Sequence, residues 1–191
     1  MDENGVVPIV PIVECIGIID NNTAVSLMNA VNQHIYSTQN LSKVQIHFSS
    51  PGGELWASIA LYNYIRSLPV PTRIVNIGAI GSAAVLIYLA ADERFAAKNS
   101  IFMLHNLIYI FTPEIKNMEY SQMAFQMKSI TDDTKAYIDI YNERTSGAKK
   151  QLDIEEVMKG PIIRITPEQA VECGMANQVI SAENLRNIDT K

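Results

Sequence analysis

The sequence predicts an α/β fold of repeated βα units, on three observations. Apolar strand-like runs alternate three times with helical-period runs between Ile9 and Ala91. Each hand-over runs through a short turn rich in Gly, Ser or Asn. A long stretch from Asn117 to Arg144 then holds neither Gly nor Pro and predicts an extended helix.

In chain order, Ile9–Ile19 is an apolar extended run, and Asn21-Asn22-Thr23 caps a helix whose Val25, Leu27, Met28, Val31 and Ile35 fall near helical spacing. Val44–Phe48 forms the second strand and ends at the turn Ser49-Ser50-Pro51-Gly52-Gly53, beyond which Glu54–Leu68 is helical. Pro69 and Pro71 stop that helix, because proline lacks the N–H a helix needs. Arg73–Ile77 is a third strand, and Gly78–Ser82 leads into the small-residue helix Ala83–Ala91. Two short strands follow, Arg94–Ala96 and Ile101–Leu104, joined by a Lys98-Asn99 turn; the second ends on His105. Ile108–Phe111 is a further short strand. After the long helix, Thr145-Ser146-Gly147 is its C-cap, Leu152–Met158 a short helix and Ile162–Ile165 a short strand. Thr166-Pro167-Glu168-Gln169 opens a last helix with a capping-box pattern, and Gly174 ends it.

At 191 residues the chain buries about two-thirds of its unfolded surface in one core, so residues 1–191 read as one domain. A net charge of -5 supplies no field for phosphate backbones or anionic lipid, so nucleic acid and membrane surfaces are not expected partners. Two cysteines, Cys15 and Cys173, in apolar or helical settings suit buried thiols in a reducing compartment. The longest apolar run, Ala79–Ala91, falls short of the roughly 18 residues of a membrane span, and the acidic start with its prolines does not suit a signal peptide. A cytoplasmic location is expected. The three histidines have no metal-ligand spacing, and Ser50-Pro51-Gly52-Gly53 lacks the lysine of a phosphate loop, so neither metal nor cofactor is expected.

In open α/β sheets, ligands gather beyond the carboxyl ends of the strands. Gly52-Gly53, Ser82 and His105 all stand there. A serine becomes a nucleophile when a base takes its proton and backbone N–H groups receive the oxyanion. Ser82, flanked by Gly81 and Ala83 at a strand-to-helix turn, fits that role, and fits equally a small residue at a crowded helix start. His105 reads as the base or as a satisfied strand-end histidine.

The order Ser50-Pro51-Gly52-Gly53, then Gly78-Ala79-Ile80-Gly81-Ser82-Ala83-Ala84, then Asn99–Asn106, a long helix ending Tyr141–Gly147, and Thr166–Met175 resembles the Clp protease proteolytic subunit family from about Val13 to Ile180. The resemblance implies a ClpP/crotonase-like fold with a protruding handle helix: a head at 9–107 and 150–185, and a handle at 108–149. It implies Ser82 as nucleophile, His105 as base, and the N–H groups of Gly53 and Ala83 as the oxyanion hole. The family's triad aspartate aligns with Ile162, in the run Gly160-Pro161-Ile162-Ile163-Arg164. Ala83 replaces the usual methionine, and Leu107-Ile108-Tyr109-Ile110-Phe111 replaces a Gly-rich segment that lines substrate. Asp153, Asn106 or a backbone carbonyl are the candidates to orient His105 instead.

The function implied is a serine endopeptidase subunit that cleaves unfolded polypeptide. It would self-assemble into rings of seven, stacked as a tetradecamer, and be fed by an AAA+ unfoldase ATPase, since this chain has no ATP-binding motif. The alternatives are a structural subunit that co-assembles with an active paralogue, and a hydratase or thioesterase of the related crotonase fold.

Overall fold

The structure is a computed structural model that describes residues 8–109 and 119–186. Strand β1 (Ile12–Ile16) leads to helix α1 (Asn21–Ser37), β2 (Val44–Ser50) to α2 (Leu55–Arg66), and β3 (Thr72–Gly81) to α3 (Ala84–Ala90). Strands β4 (Glu93–Ala97) and β5 (Ile101–Leu104) precede the long helix α4 (Tyr120–Thr145). The chain closes with α5 (Ile154–Val157), β6 (Ile163–Ile165), α6 (Pro167–Glu172), β7 (Gln178–Ile180) and a 3-10 turn at Glu183–Arg186.

Seven strands form one mixed sheet, β1-β2-β3-β4-β7, all parallel along that path. The first half of β3 pairs with β4 and its second half with β5, so one long strand serves two short ones in turn. Strand β6 runs antiparallel to β5, with Phe102, Met103 and Leu104 opposite Ile165, Arg164 and Ile163. Right-handed βα crossovers require helices to cover a parallel sheet. Helix α3 carries that furthest: all seven of its residues are buried, as expected of a helix apolar on every side.

Several expectations shift by a few residues. The Ile9–Ile19 run pairs as a strand only over Ile12–Ile16, with single bridges at Ile9 and Ile19. The cap of α1 is Asp20, whose carboxylate accepts from Thr23 N–H at 2.7 Å and is held below the usual carboxylate range by that bond. Val25 is exposed on α1. The strand β7, too short to carry a pattern, was not foreseen. Ile108 and Tyr109 lie in no strand, and the rest of the expected Ile108–Phe111 strand falls outside the described residues, as does the predicted helix start at Asn117.

Cys15 and Cys173 are free and buried; burial pushes the Cys15 thiol up to about 11, which leaves it inert at neutral pH. No helix among the described residues is long and apolar enough to cross a membrane. The two ends of α4 differ sharply: Tyr120 is 87% exposed, with Met123, Phe125 and Met127 also exposed, whereas Tyr137 and Tyr141 are buried in the core.

Candidate active site

Ser82 occupies the turn from β3 into α3 with φ +53, a left-handed conformation that costs a non-glycine residue about 1–2 kcal/mol. Such strain persists only where neighbours over-determine it. Here the Ser82 N–H donates to Met103 O on β5 at 2.9 Å, and its carbonyl accepts from Val85 N–H at 3.1 Å and from the Tyr137 hydroxyl at 3.3 Å. The far end of α3 is fixed as firmly. Arg144 donates to the Leu89 and Ala91 carbonyls at 2.8 and 3.0 Å, and Arg66 to Ala90 at 3.3 Å. These guanidinium groups satisfy the last carbonyls of α3 and place positive charge at its negative dipole end.

The Pro51-Gly52-Gly53 turn packs directly on Ser82. A Cβ on Gly52, whose φ is +107, would lie 2.6 Å from Ser82 Cβ, and one on Gly53, φ +152, would lie 2.0 Å from Ile19 O. Both positions therefore demand glycine. Ser49 and Ser50, which the sequence marks only as turn residues, set up this turn through their hydroxyls. Ser49 Oγ accepts from Ala79 N–H at 3.1 Å and donates to Ala79 O at 3.2 Å where the β2–β3 register shifts, and Ser50 Oγ accepts from Gly52 N–H at 3.1 Å. Their signal was the doubled serine before a Pro-Gly-Gly turn.

The N–H groups of Gly53 and Ala83 donate to none of the described residues. The Gly52 Cβ position is also 3.3 Å from Ala83 N, which brings Ala83 to the Gly52–Ser82 contact, and Gly53 is the next residue of the turn. Two free N–H donors beside a serine at a helix N-terminus can receive an oxyanion.

His105 follows β5, two residues past the Met103 that binds the Ser82 N–H, and is half-buried. Its Nδ1 lies 2.5 Å from the carbonyl oxygen of Asn106. A carbonyl only accepts, so Nδ1 carries a proton, and in the neutral ring the lone pair is then on Nε2. That is the tautomer a general base needs. The Ser82 hydroxyl makes no hydrogen bond to the ring among the described residues.

Of the candidate orienting groups, the backbone carbonyl of Asn106 is the one in contact. Asp153 is committed elsewhere, as N-cap of α5, where it accepts from Glu156 N–H at 3.1 Å. Continuing the β5–β6 register by one position sets Ile162 opposite His105. Ile162 is 57% exposed.

The sequence matches the Clp protease family model over residues 12–183. The chain belongs to the Clp protease family. Among curated members, it is similar to the ATP-dependent Clp protease proteolytic subunit of Deinococcus radiodurans, at 26% identity over 72% of this chain and 65% of that protein. It is also similar to proteolytic subunit 2 of Pseudomonas aeruginosa, at 25% identity over 78% of this chain and 72% of that one. Subunit 2 of Treponema pallidum is 31% identical over 41% of this chain and 42% of its own length. The chain thus spans under two-thirds of the Deinococcus relative and under half of the Treponema one. In fold it matches a mutant of ClpP1 from Listeria monocytogenes, with TM-score 0.72 and 20% identity over 91% of this chain and 92% of that one. The Clp-type fold expected from the motif order is therefore present, a parallel α/β sheet with one long helix.

Proposed function

We propose that this Clp-family chain is a serine endopeptidase subunit of reduced intrinsic activity, with Ser82 as nucleophile and His105 as base. The observation that carries this reading is the Asn106 carbonyl on His105 Nδ1, which selects for the neutral ring the tautomer whose Nε2 can take a proton. In the proposed step, Ser82 Oγ attacks the scissile carbonyl as its proton passes to His105 Nε2. The oxyanion is held by the N–H groups of Gly53 and Ala83, and the intermediate collapses as His105 returns the proton to the leaving amine. Water then repeats the sequence on the acyl-enzyme and frees Ser82.

The missing aspartate sets the expected rate. An orienting aspartate fixes the imidazole tautomer and stabilises the imidazolium, and its loss in other serine proteases costs about 10⁴ in turnover. A neutral carbonyl supplies the first service and lacks the charge for the second. A Ser–His pair with oxyanion donors still exceeds water by about 10³ to 10⁴, so slow peptidase activity is the expectation.

The names of the relatives, ATP-dependent Clp protease proteolytic subunits, favour a partner ATPase of the AAA+ type and assembly of a larger enzyme. Our reading is a cytoplasmic chain that forms rings of seven stacked as a tetradecamer, cleaving unfolded polypeptides, with residues 108–149 as the handle between rings. The exposed apolar residues on the first half of α4 support a surface that assembly covers.

A fluorophosphonate probe tests the chemistry. Labelling of the assembled wild type that disappears in Ser82→Ala is expected, and labelling that survives in Ser82→Ala defeats the assignment. A second reading, a non-catalytic subunit that co-assembles with an active paralogue, draws on the exposed Ile162 opposite His105. Purified homomeric rings that cleave peptide would exclude it.

A further inference from the structure

One carboxylate on α4 joins two segments that flank the candidate site, and the peptidase reading gives it no task. Asp133 accepts from the Trp56 indole N–H through Oδ1 at 3.1 Å and from the Tyr109 hydroxyl through Oδ2 at 2.7 Å. Trp56 is the second residue of α2, three positions after Gly53, and Tyr109 stands four positions after His105. Both oxygens are thus used by neutral donors from different elements, and no cation pairs with Asp133 among the described residues. One helical turn further on, Tyr137 holds the Ser82 carbonyl. Residues at i and i+4 share a helix face. A single face of α4 therefore touches the start of α2 just past Gly53, the Ser82 turn and the segment just past His105.

The neighbouring acids Asp132 and Asp139 instead pair with Lys128 and Lys135 within α4, at 2.5 Å each, on the exposed side. Such i,i+4 pairs contribute a few tenths of a kcal/mol to a helix and organise nothing beyond it. Asp133 makes no pair of that kind, and hydrogen bonds to a charged acceptor are the stronger sort. Burial, helped by the bond to Asp133, pushes the Tyr109 phenol above its ordinary range, so it remains a donor at neutral pH. Trp56 is 61% exposed, so packing alone does not fix its indole.

The geometry points to Asp133 as a positioning residue: by clasping Trp56 and Tyr109, it sets the spacing between the Gly53 turn and the His105 segment. This role rests on the serine peptidase reading. It acts through the two aromatic side chains and touches no reacting atom. A misplacement of about 1 Å at a reacting centre costs about 10²-fold in rate, so losing one of several restraints is expected to slow chemistry about tenfold.

The test uses the full-length chain and three variants, Asp133→Ala, Trp56→Phe and Tyr109→Phe. Fluorophosphonate labelling of Ser82 is resolved into a binding constant and a maximal rate. In Asp133→Ala the maximal rate is expected to fall about tenfold while the binding constant and the unfolding midpoint stay close to wild type. The two aromatic variants remove one donor each, Tyr109→Phe with little change in shape and Trp56→Phe with loss of the larger ring at an exposed position, and are expected to give part of the same loss. Combined with Asp133→Ala they are expected to add little, because all three break one clasp. Trp56 is the sole tryptophan, so its fluorescence reads the clasp without any chemistry. Asp133→Ala is expected to shift its emission and raise acrylamide quenching, and Asp133→Asn to do so less.

An unlabelled wild type defeats the peptidase reading and this role with it. A labelled wild type with an unchanged maximal rate in Asp133→Ala defeats the positioning role alone. Unchanged tryptophan emission in Asp133→Ala shows that the clasp does not exist in solution and overturns the inference whatever the labelling shows.

Discussion

The two halves of the candidate site are held in opposite ways. Ser82 sits at the head of a wholly buried helix, its backbone bonded to β5 and α4 and the far end of that helix gripped by arginines. His105 follows a four-residue strand, is half-buried, and has one backbone carbonyl on its ring, with exposed Ile108 three residues on. A strained nucleophile needs a rigid frame, because its left-handed backbone would otherwise relax. A base needs only the right tautomer and reach. In the proposed peptidase, the lack of a charged orienting group would lower the rate and leave the frame intact.

The largest test of this contrast loads the rigid side. Arg94 is buried, and its guanidinium donates to the carbonyls of Met175 at 2.8 Å, Gly174 at 3.3 Å, Ala91 at 3.4 Å and Arg144 at 3.5 Å. Arg94→Met keeps the stem and removes these donors, leaving the Ala91 carbonyl its bond from Arg144. A loss of about 3–5 kcal/mol is expected, seen as a fall in Tm of about 8–15 °C. On the open side, Ile162→Ala should move Tm by no more than that of a typical surface change, within about 0.5 kcal/mol. Equal losses at both positions would erase the distinction.

The next test sharpens it from the other direction. Ile162→Asp puts a carboxylate on an exposed position that the β5–β6 register, continued by one residue, sets opposite His105. Directly opposed residues on antiparallel strands bring their Cβ atoms about 4.5–5.5 Å apart, within reach of a ring nitrogen. Peptide turnover is expected to rise by about 10²-fold, part of the 10⁴ that an orienting aspartate confers in other serine proteases. Steady-state peptide cleavage checks it. An unchanged rate would mean that the Asn106 carbonyl already supplies all that this site uses.

The same contrast explains what could be read from sequence. The βα repeats, the Pro51-Gly52-Gly53 turn and the buried α3 helix follow from local pattern and from glycine's steric freedom, and the structure holds all three. Motif alignment set Ile162 at the family's triad-aspartate position; the β5–β6 pairs end at Leu104 and Ile163, one position short of Ile162 and His105. Other features were out of reach. Strand β7 has three residues and no period, and Asp20 displaced the expected asparagine cap by one position. The Asp133 clasp joins residues 77 and 24 positions apart, a contact that no local spacing encodes. The carbonyl on His105 was one of three options in the sequence, and only the strand-end geometry selects it.

A smaller effect is expected at Tyr137, whose hydroxyl bonds the Ser82 carbonyl at 3.3 Å. Tyr137→Phe leaves that carbonyl its bond from Val85 N–H, so the loss should stay near 1 kcal/mol or below. The maximal labelling rate of Ser82 is expected to fall only about two- to fivefold. A loss as large as that of Arg94→Met would show that the Ser82 turn depends on α4 far more than on its own helix.

The smallest effect lies in the pH dependence, and it separates loss of the frame from loss of the base. His47 lies on β2, on the strand that feeds the Pro51-Gly52-Gly53 turn, so it belongs to the rigid side. Burial pulls its imidazole below the ordinary value of about 6.5, and the carboxylate of Glu14 opposes this only in part. The hydrogen bonds give a second reason. Arg73 Nη1 donates to Gln45 Oε1 at 3.1 Å, which turns the Gln45 amide nitrogen toward His47 Nε2 at 2.9 Å. That ring nitrogen must accept, and protonation would set donor against donor. The unfolded chain therefore binds this proton more readily than the folded one, so the stability concerned is present above about pH 6.5 and is lost as pH falls through the lower folded value. Urea unfolding should show a falling free energy from pH 7 to pH 5 in wild type, and a shallower fall in His47→Gln. If the two slopes coincide, the acid sensitivity of the frame lies elsewhere, and an acid loss of activity could then be compared with protonation of His105 without this correction.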